Sequence, residues 1–152
     1  MPLVLNTLVN NLREIFDEEY SGFSGFPADI NEAAQKWSEA IGDYAQSIVP
    51  PTTTISQAKS AMNSVISGIT NNGVAQLPIS FTNFAASLAI GMQPAFTGTP
   101  PSVPVDFSSI YPIGLGGGSS EQVINAMAAI IDAWFRTGIA VNNTSGVSVP
   151  WS

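Results

Sequence analysis

The sequence predicts an all-α protein, a compact bundle of about five helices with a Pro/Gly-rich ordered arm and an extended C-terminal tail. Three observations lead there. Apolar residues recur every three or four positions in five separate segments. Proline, glycine or a capping residue borders each of those segments. A chain of 152 residues with 45% apolar content can bury one core of its own.

Leu5, Leu8, Val9, Leu12, Ile15 and Phe16 form the first stripe, with Pro2 before it and SGFSGFP after it, so a helix is expected over about residues 3–18. The second stripe follows Pro27, with Asp29 as N-cap. It runs through Ile30, Ala33, Ala34, Trp37, Ile41, Tyr44, Ala45 and Ile48 until Pro50 and Pro51 stop it. Thr53 or Thr54 caps a third stripe, Ile55, Ala58, Met62, Val65 and Ile69, which stops at TNNG; Ser and Asn on its outer face make it the weakest helix. A fourth opens near Pro78, aligns Leu77, Phe81, Phe84, Leu88 and Met92, and ends at about Met92. The following stretch, GTPPSVPVDFSSIYPIGLGGGSS, is too rich in Pro and Gly for regular structure, yet it holds enough large apolar residues to pack as an ordered arm. Ser119 and Gln122 form a capping box for the last helix, whose stripe is Val123, Met127, Ile130, Ile131 and Trp134 and whose C-terminal cap is Gly138. The tail is extended, and its Asn-Thr-Ser-Gly centre can turn a short hairpin. One helical domain, 1–152, therefore divides into an acidic N-terminal helix and Gly/Ser loop (1–26), central helices (27–96), the arm (97–118), the last helix (119–139) and the tail (140–152).

The chain has eleven acidic and four basic side chains, a net charge of −7, and neither His nor Cys. That balance repels nucleic-acid phosphates and anionic lipid. Without imidazole or thiol there is no Ser-His-Asp or Cys-His machinery, no zinc site of the usual kind and no disulfide. The charge is also uneven. Residues 1–43 hold eight acids and two bases, whereas from Ser60 to Ser120 the only charged residue is Asp106. Ordinary soluble domains keep about a quarter of their residues charged, so such a stretch fits a surface covered by neighbouring subunits. The N-terminal segment lacks a basic region, a continuous apolar run and a small-residue cleavage site, and it reads as an amphipathic helix made without export.

Glu14, Asp17, Glu18 and Glu19 are the densest carboxylates. They lack the alternating ligands and central Gly of a calcium loop, and as a functional feature they suit an acidic docking face for a basic neighbour. Gly114 and Gly116–Gly118 precede a helix start, but no Lys follows them as a phosphate loop requires, so they read as a hinge. Asp132 and Arg136 stand four apart and pair within one helix, and Lys36 can pair with Glu32 or Glu39. The uncharged segment Leu77–Phe96 contains Pro78, Asn83, Gln93 and Pro94 and has no flanking cations, which favours a buried helix over a membrane span. Trp37, Tyr44, Trp134 and Phe135 read as core aromatics. Trp151, at the end of the chain, reads as an anchor for a neighbour. The Asn142–Ser145 run holds formal glycosylation sequons that weigh little without a secretion signal.

In order along the chain, AAQKWSEAIGDYAQSIVPPTTT, FTNFAASLAIGMQPAFTGTPPSVP, PIGLGGGSSEQ, IDAWFRTG and VPWS resemble a small structural protein of tailed bacteriophages, especially contractile-tailed phages of aquatic bacteria. The resemblance covers about residues 28–152 and has no catalytic content; the acidic first 43 residues depart from it. It implies a non-enzymatic virion subunit of the head, neck or tail assembly, made in the host bacterial cytoplasm. Its partners would be other virion structural proteins and copies of itself, with no cofactor, metal, nucleic acid or membrane. The expected partner interface comprises Phe81, Phe84, Leu88, Met92, Pro100, Pro101, Phe107, Tyr111 and Trp151, and loss of residues 140–152 is expected to weaken assembly more than folding. A soluble helical carrier of a small apolar ligand, with Met62, Met92 and Met127 around it, is the competing expectation.

Overall fold

A computed structural model describes residues 2–69 and 76–152, with the side chain of Tyr111 excepted. Among the described residues the helices are α1 (Leu5–Phe16), α2 (Ile30–Ala45), α3 (Ile55–Ser67), α4 (Gln76–Ile90), α5 (Ile110–Leu115) and α6 (Ser120–Phe135). The strands are β1 (Phe96–Thr99), β2 (Ile139–Asn142) and β3 (Ser148–Pro150). The protein is mostly helical, but the all-α expectation is corrected by this small antiparallel sheet of order β1-β2-β3. The tail does turn a hairpin, with Gly146 at φ +71° closing it. Its outer partner was hidden inside the Pro-rich arm: Phe96 pairs with Asn142 and Thr99 with Ile139. The arm also contains α5, so it is regular at both ends. Alternating burial over four residues is too short a signal to stand out beside two prolines.

Helix starts follow the sequence where a side chain is positioned to cap. The Asp29 carboxylate accepts from the Glu32 N–H at 2.8 Å, and Ser119 with Gln122 makes the reciprocal capping box of α6. The Thr54 hydroxyl does something else. It donates to the Ser87 carbonyl of α4 at 2.5 Å, while Thr52 donates to Leu88 O at 2.8 Å and the Thr53 N–H to Gly91 O at 3.1 Å. The TTT segment thus brings donors to carbonyls at the C-terminal end of α4, of which Leu88 O also takes the Gly91 N–H. Gly91 is part of the fit, since a Cβ there would overlap both the Thr52 and Thr54 hydroxyls. The expected stop of α3 at Thr70–Gly73 lies outside the described residues.

Helix α3 packs on both α2 and α4, and α1 lies on α6 and α2. The core between them is aromatic. Phe81 meets Trp37, Phe107 and Trp134 edge-on with centroids 5.6 to 6.0 Å apart, and Phe135 meets Tyr44, Phe84 and Trp134 at 5.1 to 6.0 Å. Edge-to-face rings contribute about 0.5–1.5 kcal/mol per pair beyond area burial. The arm is tied to this core through Val105, which is buried, and through the Trp134 indole N–H, which donates to Val103 O at 2.6 Å. A polar junction joins three segments. The Tyr44 hydroxyl donates to Asp132 at 2.5 Å, and Arg136 holds the same carboxylate at 2.9 and 3.1 Å while reaching Leu3 O at 2.9 Å.

Candidate interaction surfaces

Five of the expected interface residues serve the core instead. Phe81, Phe84 and Leu88 are fully buried, Met92 is 2% exposed, and Pro101 is buried. Their spacing marked a helix face, and the chain's own elements cover that face. Phe107 is half-buried against Phe81 and Pro100 is half-buried; the side chain of Tyr111 lies outside the described residues.

Trp151 is the clearest correction. It is 0% exposed, so it is no free anchor for a neighbour. Its N–H donates to Gly138 O at 2.9 Å, and Val49 and Ser152 exchange backbone hydrogen bonds at 2.7 and 3.0 Å. Gly138 has no positive φ and is not needed for a left-handed cap; a Cβ there would overlap the Trp151 ring. The indole Nε1 is buried without a partner among the described residues. Such a donor costs about 1–3 kcal/mol, which the burial of the ring offsets. Residues 140–152 are therefore structural, and their loss removes β3, most of β2 and the Trp151 plug together.

The acidic end divides as well. Asp17 is only 3% exposed: it is the C-cap of α1, takes the Arg13 guanidinium at 2.9 Å and accepts from the Glu19 N–H. Arg13 also lies over the Tyr20 ring, 4.7 Å from its centroid. Glu14, Glu18 and Glu19 point outward. Glu14 faces Glu32, Glu39, Asp43 and Lys36 across an open groove of about 360 Å³ between α1 and α2. Lys36 pairs with Glu32 at 3.3 Å, as its spacing suggests, whereas Glu39 meets Lys59 of α3 at 4.0 Å. The Ala28 N–H first, and then Lys36, hold the Glu32 carboxyl below its ordinary range. All four basic side chains of the chain are thereby engaged, and among the described residues Glu14, Glu18, Glu19 and Asp43 make no ion pair. Among the described residues no three acidic side chains converge as a metal-ligand set.

The opposite character prevails from α4 to the start of α6. Ile79 is 46% exposed, Ile90 and Val103 are each 70% exposed and Leu115 is 89% exposed, in a stretch whose one charge is Asp106. The Asp106 carboxyl is held below its usual range by the Ser108 N–H it accepts, so even this charge is partly engaged locally. Gly114 and Gly116–Gly118 close α5, with the Gly116 N–H on Pro112 O and the Gly118 N–H on Ile113 O. Beside Gly118 an apolar cleft of about 440 Å³ opens between α1, α2 and α6, lined by Phe16, Trp37, Val123, Ile124 and Met127. Among the described residues no helix is long and apolar enough to cross a membrane.

The Tyr44–Asp132 junction was only half visible in the sequence. Four-residue spacing gives the Asp132–Arg136 pair, but nothing local says that Tyr44, 88 positions away, donates to the same carboxylate. Burial, together with this carboxylate partner, raises the Tyr44 phenol far above its ordinary value. Its neutral hydroxyl is therefore a fixed donor joining α2 to α6.

Comparison of the chain with family models, curated proteins and solved structures finds no match.

Proposed function

We propose that the protein is a non-enzymatic structural subunit of a tailed bacteriophage virion, in the head, neck or tail assembly, acting by packing against other virion subunits. The observation that carries the reading is the uncharged surface from α4 to α6, where large apolar side chains stand exposed among hydroxyls and amides. Covering such a surface desolvates little charge, the most costly part of burying a protein surface, since Asp106 is the one ionised group in the stretch. The motif resemblance over residues 28–152 supplies the phage context. The acidic end, with its unpaired carboxylates, faces solvent or a basic neighbour.

The carrier alternative draws less support. Met62 and Met92 are packed in the core, and only Met127 borders an open cleft. The test is quantitative peptide mass spectrometry on density-purified particles, scaled to the major capsid protein. Hundreds of copies indicate a capsid-covering role, and a few to some tens indicate neck, tail or baseplate. Absence from particles overturns the reading.

A further inference from the structure

We infer that Asp106–Gly118 is a strap that opens as a unit between Val105 and Ser119, uncovering Phe81 and Met127 while the helices beneath it stay folded. The inference concerns the chain by itself and goes beyond the subunit reading.

The strap is tied mainly to itself. The Ser108 N–H donates to the Asp106 carboxylate at 2.9 Å, and the Ile110 N–H to Phe107 O at 3.0 Å. The Gly116 N–H donates to Pro112 O and the Gly118 N–H to Ile113 O, each at 2.9 Å. Among the described residues none of its hydrogen bonds reaches another element. No described side chain from Asp106 to Gly118 is buried, and of these only Phe107 packs on the core, its ring edge-on to Phe81 at 5.6 Å. Opening therefore gives up that aromatic contact and the lie of α5 on α6, the mark of a segment of low local stability. A six-residue helix does not persist off the fold, so a lifted strap also loses α5.

Both ends, in contrast, are fixed. Val105 is 3% exposed, the Trp134 N–H holds Val103 O, and Ser119 with Gln122 caps α6. Gly117, at φ +79°, turns the chain between α5 and that cap, a conformation that favours glycine. The surroundings are loosely filled. Met127 lines two apolar clefts, of about 320 and 440 Å³; Phe107 and Ile110 line the first and Gly118 the second. The chain from Ile110 to Gly118 thus runs from one opening to the other. With the strap lifted, both clefts lose those walls, and Phe81 loses the ring packed against it.

The experiment is hydrogen exchange of the full chain, followed by NMR at urea concentrations below the unfolding midpoint, for the wild type and Phe107→Ala. The Gly116 and Gly118 amides are bonded in the closed strap, so they report its opening. The expected result is protection at least about a hundredfold lower than that of Ile131 within α6. Their rates should rise together with urea, because opening exposes apolar surface. Phe107→Ala should speed both amides about tenfold or more. It should speed Ile131 by no more than the wild-type strap's own protection factor, since the variant's strap then simply stays open. Protection of Gly116 and Gly118 equal to that of Ile131 overturns the inference, as do strap rates indifferent to urea or to Phe107→Ala.

Discussion

The acidic end and the uncharged middle of this protein are held by different chemistry. In α1 and α2, ion pairs and a cation over an aromatic ring tie the surface down: Arg13 to Asp17 and Tyr20, Lys36 to Glu32. Along α4 the same task falls to hydroxyls: Ser80, Thr82 and Ser87 donate to backbone carbonyls of their own helix, and Thr52 and Thr54 donate into its C-terminal end. A hydroxyl already bonded to its own backbone loses little when a neighbour excludes water, whereas a carboxylate loses its solvation and must be paired. The difference teaches that the fold spends its charge where water remains and uses neutral hydrogen bonds where a partner is expected to sit.

The comparison is sharpened most by changes at the point where tail and middle meet. Trp151→Ala should destabilise the protein by about 3–5 kcal/mol, the cost of emptying a large buried aromatic site, as read by urea denaturation. Trp151→Phe should cost less than its lost volume suggests, because it also removes the unpaired buried indole N–H. A near-neutral Trp151→Ala would return the tail to the role of a loose anchor.

Next comes the polar junction. Tyr44→Phe should cost about 1.5–3 kcal/mol at pH 7, since it removes a hydrogen bond to a charged acceptor. Its pH profile carries a sign. The folded-state value of the phenol is raised above its ordinary 10.0, so its contribution is fully present below pH 10 and is lost as the pH rises beyond it. Thermal melts from pH 8 to 11 should show wild-type stability falling more steeply than that of Tyr44→Phe. Parallel curves would mean that the phenol is not held neutral.

Smaller effects separate the two regions directly. Thr54→Val should cost about 1 kcal/mol by leaving Ser87 O without its donor, and the loss should be the same at low and high salt. Replacing Glu14, Glu18 and Glu19 together by Gln should stabilise the protein by a few tenths of a kcal/mol at low ionic strength, because these carboxylates crowd the negative end of α1. That gain should vanish in about 1 M salt. A salt-dependent Thr54 effect, or a salt-independent effect at the acids, would erase the distinction between the regions.

The helices were legible because each carries its own periodic stripe and, at Asp29 and Ser119, its own cap. What was not legible is long-range. The pairing of Phe96–Thr99 with Ile139–Asn142 joins segments some forty residues apart, and four-residue strands leave too little alternation to see. Gly138 looked like a helix stop because glycine commonly is one; its purpose, clearance for the ring of Trp151, depends on where the tail ends up. Likewise, Phe81, Phe84, Leu88 and Met92 read equally well as core or as interface, since an apolar stripe does not say which partner covers it. Exposure separates the two. The most exposed large apolar side chains among the described residues, Ile90, Val103 and Leu115, stand outside any stripe.

The central proposal is that the exposed apolar side chains of the uncharged stretch are covered on assembly. Hydroxyl-radical footprinting of the free protein and of the protein within purified particles tests it most directly. Strong protection on assembly is expected at Ile90, Val103 and Leu115, with the peptides carrying Glu18 and Glu19 modified as fast as before. Equal modification of Ile90, Val103 and Leu115 in both states would contradict the proposal.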